Sequence, residues 1–122
     1  MKSTNRPHFQ AAELDDVVSK AKAASDGYAA EVLRSDHLSV GVYTLQAGAV
    51  DDQAPHAEDE VYYTVRGRSM FFVDGRERRV QPGTLLYVPA QAEHRFHDIE
   101  EELILVVFWA PPEGTGAGEG GL

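Results

Sequence analysis

The chain has 122 residues, and its 20 acidic side chains outnumber its 11 basic ones, which leaves a formal net charge of −9. The length suits a single domain, and the negative charge disfavours nucleic acid and anionic membrane surfaces as partners. Because the sequence contains no cysteine, disulfides, thiol nucleophiles and cysteine-based metal sites are excluded.

The first predicted element is one short helix. Residues 1–12 are polar, include Pro7 and show no periodicity, which predicts a flexible N-terminal arm. From Glu13 onward apolar side chains recur at helical spacing, and acidic residues precede lysines in the order that complements the helix dipole. Gly27 supplies a stop signal. The pattern therefore predicts a helix over residues 13–26.

Beyond the helix the sequence predicts short β-strands. Apolar positions recur at every second residue, and β-branched and aromatic residues accumulate. Asp74-Gly75 is the clearest signal for a hairpin turn, and the charged segment 100–102 predicts a solvated turn. So many short strands favour a barrel or a sandwich over an open sheet. The predicted strands are 28–34, 38–46, 61–66, 69–74, 76–80, 84–88, 94–98 and 103–109.

The end of the chain predicts a flexible tail, since residues 111–122 are rich in glycine and lack apolar periodicity. This leaves residues 13–110 as the folded domain with its N-terminal helix. The longest apolar run, Leu103 to Ala110, is much shorter than the about 20 residues of a membrane-spanning helix. The N-terminus lacks the apolar stretch of a secretory signal. We therefore expect a cytoplasmic protein without a membrane partner.

Two of the five histidines stand where they could bind a ligand. His56 precedes Glu60 by four residues at the start of a predicted strand, and His94 opens another. On one extended strand His56 and Glu60 would lie about 13 Å apart, whereas donors to one ion lie within about 3 Å of each other. A shared metal therefore requires a bend, which residues 57–59 could provide. A helical turn beginning at Pro55 is disfavoured by the β-branched residues that follow.

Two motifs in this region resemble those of the cupins, a superfamily of small jelly-roll β-barrels. The first motif of that family is G-x5-H-x-H-x3-4-E-x6-G, and the second is G-x5-P-x-G-x2-H-x3-N. The positions that match in register are Gly48, His56, Glu60, Gly67, Gly83, Pro89 and His94. The chain is thus similar to a small single-domain cupin (cupin 2-like). The resemblance implies an all-β, cupin-like jelly-roll β-barrel with one short N-terminal α-helix.

The resemblance also implies a metal site, although Ala54 stands where the family usually has its first metal-binding histidine. The implied ligands of one divalent ion (Zn, Fe, Ni or Mn) are His56, Glu60 and His94. Two imidazoles and one carboxylate suffice for Zn²⁺ with an open position or for non-heme Fe²⁺ with several. Gln53 is a candidate fourth ligand if the strand is displaced by one residue. The alternative is that both histidines are hydrogen-bonded polar groups in a pocket without a metal.

The same strands predict the lining of a ligand pocket. If Glu60 and His94 face inward, alternation along their strands turns Tyr62 and Asp98 inward as well. These two residues are the candidate catalytic groups, whereas His97 has the opposite parity. An apolar, aromatic cavity with a few polar groups suits a small organic molecule. The alternative is that Tyr62 merely fills the barrel core.

Two functional hypotheses follow from these residues. The first is a metal-dependent enzyme, a dioxygenase or an isomerase, as in enzymes that share the cupin scaffold. The second is a non-catalytic binding or sensor module for a small molecule, with or without a metal. Under both hypotheses the partner is a small organic ligand.

The outer face of the predicted strands predicts self-association. Val61, Tyr63 and Val65 alternate with the inward set, and residues 103–109 are apolar on both faces. Burial under the predicted helix or against a second subunit would remove this surface from water. We therefore expect a homodimer.

Overall fold

The computed structural model describes residues 8–115, which form one helix and six strands. The strands pair in antiparallel fashion, which confirms the predicted all-β class with one short helix. The elements are α1 (Leu14–Ala23), β1 (Tyr28–Arg34), β2 (Ser39–Leu45), β3 (Asp59–Val73), β4 (Arg76–Val80), β5 (Leu85–Val88) and β6 (His94–Ala110).

The strand order is β1-β2-β6-β3-β4, and β5 pairs with β3. Strand β3 serves as the centre of the fold because three strands pair with it. Strand β6 pairs with β3 from Asp59 to Val73, β5 pairs with the first part of β3, and β4 pairs with the last part of β3.

The long ladder of β3 and β6 folds over on itself. Glu60 pairs with Trp109 near one end of this ladder, and Val73 pairs with His94 at the other end. In a flat sheet, the residues from 60 to 73 would separate the two ends by about 43 Å. The side chains of Glu60 and His94 instead approach to 3.0 Å. The sheet therefore closes into a roll, and this closure brings distant residues together.

The ladder bends around Gly67, where its register shifts between Thr64 and Met70. Gly67 has a φ of +102°, and a Cβ at this position would lie 2.3 Å from the backbone oxygen of Glu102. Only glycine fits this close approach of two backbones.

The continuous strands correct two of our predictions. The predicted strands 61–66 and 69–74 are one strand, β3, and the predicted strands 94–98 and 103–109 are one strand, β6. The predicted turn at 100–102 is wrong because these residues belong to β6. Bulges allow the strand pairing to continue at positions whose sequence resembles a turn.

The core fills the interior of the roll, and α1 packs on its outside. The interior cluster includes Tyr62, Phe71, Phe96, Leu103 and Leu105. A second cluster joins α1 to the outer face of β2 and β6, and its buried members are Val17, Ala21, Val42 and Ile104. The helix therefore removes part of the apolar outer surface from water, as one of the two alternatives expected.

Both ends of the described chain contact the barrel. The backbone nitrogen of Arg34 donates to Gln10 Oε1 at 2.8 Å. After Ala110, the backbone nitrogen of Glu113 donates to Ser39 Oγ at 2.9 Å. The remaining residues of the predicted flexible arm and tail, 1–7 and 116–122, lie outside the described part of the chain. Among residues 8–115 no helix has the length and apolar character needed to cross a bilayer.

Candidate metal centre

Three side chains converge at one end of the roll. His56, Glu60 and His94 each offer one ligand atom, and these atoms all lie within 4.8 Å of one another. Glu60 and His94 are buried near the starts of β3 and β6, and half-buried His56 lies in the loop before β3. The chain bends at residues 57 and 58, so the predicted bend is confirmed. The structure thus brings together the three residues that the motifs indicated.

Among residues 8–115, no lysine or arginine pairs with the buried Glu60 and His94. His94 Nδ1 lies 2.9 Å from the Ala92 carbonyl oxygen, which can only accept, so Nδ1 carries the proton and donates. His94 Nε2 lies 3.0 Å from Glu60 Oε1, and because the neutral ring carries its proton on Nδ1, both of these facing atoms are acceptors. Neither Glu60 oxygen nor His94 Nε2 has a hydrogen-bond partner in residues 8–115. Buried acceptors that face each other in this way fit a cation between them.

A proton is the simplest cation that could occupy this gap. Burial lowers the pKa of His94, but the neighbouring Glu60 carboxylate and the Ala92 carbonyl outweigh burial and raise that pKa overall. A divalent metal fits the same gap, because imidazole nitrogen and carboxylate oxygen are common ligands and the donated Nδ1 proton fixes the tautomer that exposes Nε2.

Gln53 lies beside His56 and serves as a hydrogen-bonding link. Its Oε1 lies 3.2 Å from His56 Nε2 and accepts a hydrogen bond from the Tyr62 hydroxyl at 3.2 Å. Its Nε2 donates to Asp51 Oδ2 at 2.8 Å. These contacts place Gln53 next to His56, one of the three candidate ligands, and its role as a fourth ligand stays a prediction.

Asp51 organises the loop that carries Gln53, although no sequence pattern singles it out. This buried carboxylate accepts hydrogen bonds from the backbone nitrogen of Phe96 at 2.9 Å and from the Tyr43 hydroxyl at 3.0 Å, besides that of Gln53. In the sequence Asp51 does not differ from its neighbour Asp52. It ties the loop to β6 and fixes the position of the groups beside His56.

A cavity of about 180 Å³ adjoins His56. Its lining is mainly aromatic with a few polar groups, as predicted, and Tyr62 faces it. The lining residues are Asp26, Tyr28, Tyr43, Gln53, His56, Tyr62, Val107, Trp109 and Glu113. Because His56 lines the cavity and is also a candidate metal ligand, a molecule in this cavity would lie beside the three candidate ligands.

Residues near the C-terminus complete the cavity wall. Trp109 Nε1 donates to the Tyr28 hydroxyl at 3.0 Å, and this hydroxyl donates to Glu113 Oε1 at 2.8 Å. Burial raises the pKa of Glu113, while the Tyr28 hydrogen bond and His56 lower it by less, so the net shift is upward. We missed Glu113 in the sequence because it follows Pro111-Pro112 in a segment predicted to be a flexible tail.

The two candidate catalytic residues have different positions. Tyr62 is buried. Its burial, and to a lesser extent the nearby Glu60 charge, raise the pKa of its hydroxyl well above the usual value. Tyr62 therefore remains a proton donor at neutral pH. Asp98 is on the surface, with its side chain 78% exposed and 3.2 Å from His97. Its φ of +49° breaks the alternation that follows Phe96, so the parity argument for Asp98 is wrong.

The chain belongs to the cupin family, because the model of the cupin domain matches residues 41–111. This range contains all three candidate ligands, and the family explains the jelly-roll closure of the sheet. An uncharacterized protein of Streptomyces coelicolor is 43% identical over 105 residues, which cover 86% of this chain and 99% of that protein.

Solved structures share the fold. The TT1209 protein of Thermus thermophilus is 25% identical with a TM-score of 0.67, over 85% of this chain and 99% of that one. KdgF from Halomonas sp. is 22% identical with a TM-score of 0.65, over 71% of this chain and 79% of that one.

Proposed function

We propose that this cupin binds one divalent metal ion through His56, Glu60 and His94 and holds a small organic ligand in the adjoining cavity. One observation carries the proposal: both oxygens of Glu60 and Nε2 of His94 are buried without a hydrogen-bond partner in the described chain. Burial of such groups without compensation costs about 1–3 kcal/mol each. A bound cation removes this cost, and the mixed nitrogen and oxygen donors suit Zn, Fe, Ni or Mn.

The protein's own groups would bind and orient the ligand. Tyr62 presents a hydroxyl that stays protonated and is already directed by Gln53. His56 forms part of the cavity wall and of the ligand set. A metal held there supplies Lewis-acid polarisation of a ligand oxygen. We therefore propose a metal-dependent reaction of the dioxygenase or isomerase type.

A non-catalytic binding module is the second candidate. The raised pKa of His94 favours this second candidate, because a proton on His94 Nε2 can compensate the Glu60 charge without a metal. Asp98, the predicted carboxylate for proton transfer, also lies outside the cavity. In this case the protein would bind the same class of small molecule and release it unchanged.

Metal analysis of purified protein separates the two candidates. After equilibration with Zn²⁺, Fe²⁺, Ni²⁺ or Mn²⁺ and removal of free ion, wild-type protein should retain about one equivalent of one of them. His56→Ala and His94→Ala should retain almost none. His37→Ala is the matched control, because His37 is exposed in a turn, and it should bind metal like the wild type.

Either of two results would contradict the metal assignment: no retention by wild-type protein, or full retention by both site variants. Circular dichroism checks that the variants remain folded. An oxygen-uptake screen with enolizable and catecholic compounds then tests for oxygenase activity, and an isomer-exchange assay on the enolizable compounds tests for isomerisation. Ligand binding without turnover in both assays would favour the binding module.

A further inference from the structure

We propose that the cavity takes a ligand that carries a small organic cation, such as a quaternary ammonium or a protonated amine. This inference rests on the proposed use of the cavity as a ligand site, and it adds the chemical class of the ligand. Three features of the cavity support it: aromatic walls, carboxylates at the same wall, and the absence of lysine and arginine from the lining that residues 8–115 provide.

The aromatic rings of the cavity form corners. Tyr28 and Tyr43 have ring centroids 5.8 Å apart with planes at 81°, and His56 and Trp109 have centroids 4.6 Å apart with planes at 85°. The face of an aromatic ring carries negative charge density and attracts an ammonium group, most strongly when water is excluded.

Two carboxylates reinforce this preference at Tyr28. Asp26 Oδ1 accepts a hydrogen bond from the backbone nitrogen of Tyr28 at 3.0 Å, and Glu113 Oε1 accepts one from the Tyr28 hydroxyl at 2.8 Å. Both residues line the cavity. An anionic group placed beside Tyr28 would therefore be repelled, whereas a cation would be attracted. The net charge of −9 adds a long-range attraction for cations.

The size and placement of the cavity restrict the ligand further. A volume of about 180 Å³ corresponds to roughly six waters of liquid volume, which is the scale of a small molecule. His56 lines the cavity and is itself a candidate metal ligand, while Glu113 and Tyr28 line the part of the cavity that would hold the cation. A ligand with an ammonium group at one end and an oxygen donor at the other matches both.

Trp109 allows a direct test, because it is the single tryptophan of the chain and it lines the cavity. Its fluorescence is titrated with choline and with 3,3-dimethyl-1-butanol, the uncharged molecule of nearly the same shape. We expect choline to bind at least about tenfold more tightly, since a desolvated cation–π contact contributes that much. Equal binding of the two molecules, or no response to choline, would overturn the proposal.

A pair of variants tests the contribution of the carboxylate. Glu113→Gln keeps the shape and the acceptor for Tyr28 but removes the charge, and because a quaternary ammonium interacts with a carboxylate through charge attraction, we expect choline binding to weaken about tenfold with the alcohol unchanged. Glu100→Gln is the control, because Glu100 is exposed on β6 outside this cavity and makes the same change in net charge. Equal effects of the two variants, or none from Glu113→Gln, would count against a local charge preference.

The titrations are made with chelator-treated and with metal-loaded protein, and the metal content of each sample is measured. Metal retention without a preference for choline would overturn this inference and leave the proposed metal site intact. A preference for choline in protein that retains no metal even after metal loading would support the inference and contradict the metal assignment.

Discussion

Glu60 is the residue on which the proposed chemistry depends most. It is 1% exposed, and both of its oxygens lack a hydrogen-bond partner among the described residues. A carboxylate removed from water in this way requires a compensating cation. His94 contributes a neutral nitrogen to the same point, while its other nitrogen is fixed by the Ala92 carbonyl.

The first prediction concerns Glu60→Gln. The substitution keeps the volume but removes the charge, so the metal-free variant should fold while metal binding is lost. Saturating metal should raise the Tm of wild-type protein by on the order of 10 °C, and this gain should disappear in Glu60→Gln. Differential scanning calorimetry with and without metal measures the gain. A full gain in the variant would contradict the assignment, and the exposed Glu100→Gln should behave like the wild type.

The second prediction concerns pH in metal-free protein. The folded-state pKa of His94 is raised above its unfolded value, so the protonated form stabilises the fold. This contribution is fully present below the usual histidine pKa of about 6.5 and is lost as the pH rises through the folded-state value. Urea unfolding in the presence of chelator measures the free energy of unfolding, which should fall with rising pH for wild-type protein relative to His94→Gln. If the difference in free energy between the two proteins does not vary with pH, the prediction is contradicted.

The three candidate metal ligands could be predicted from the sequence, but much of the cavity could not. His56, Glu60 and His94 occupy motif positions with fixed spacing, and that spacing reflects the loop and the strand starts. Tyr28 and Glu113 belong to no motif and meet only when the sheet closes. Their contact depends on a fold across the whole chain, which local patterns do not record.

At the scale of elements, the bent ladder of β3 and β6 creates the site. Alternation predicted the bounds of β1 and β4 correctly, because these strands end at ordinary turns. It failed where strands pass through bulges, since Gly67 resembles a strand end although the pairing continues on both sides. Alternation also misplaced Asp98 on β6, because its left-handed backbone conformation reverses which side chains point inward and which point outward.

The third prediction compares two glycines. Gly67→Ala places a Cβ 2.3 Å from the Glu102 backbone oxygen at a φ of +102°, whereas at Gly75, with a φ of +81°, a Cβ meets nothing within 4 Å. Gly67→Ala should lower the free energy of unfolding by about 3 kcal/mol, and Gly75→Ala by about 1 kcal/mol, since only backbone strain acts there. Urea denaturation measures both values. Equal losses would show that the close approach at Gly67 does not constrain the bend.

At the scale of the whole molecule, one face of the barrel remains apolar. Helix α1 covers the outer side of β2 and part of β6, but four large side chains on β3, β5 and β6 stay exposed. These are Tyr63 (41%), Leu85 (66%), Tyr87 (62%) and Phe108 (41%). Val61 pairs with both Tyr87 and Phe108, so the exposed side chains lie on adjacent strands. We propose that a second copy of the chain covers this face.

The fourth prediction is that Phe108→Asp disrupts the proposed homodimer. A charge at the centre of an apolar interface must be desolvated without a partner, which weakens association by at least about tenfold. Sedimentation equilibrium should give twice the chain mass of 13.4 kDa for wild-type protein and the single mass for the variant. Leu38→Asp, at a residue 44% exposed outside this face, is the control. A monomeric wild type at micromolar concentration would contradict the dimer.

The most direct test of the central claim is an anomalous diffraction map of crystals equilibrated with Zn²⁺, Fe²⁺, Ni²⁺ or Mn²⁺. We predict one strong peak at about 2.0–2.2 Å from donor atoms of His56, Glu60 and His94, with the absorption edge identifying the element. No peak at this position with any of the four ions, with the three side chains turned apart or meeting around water, would contradict it.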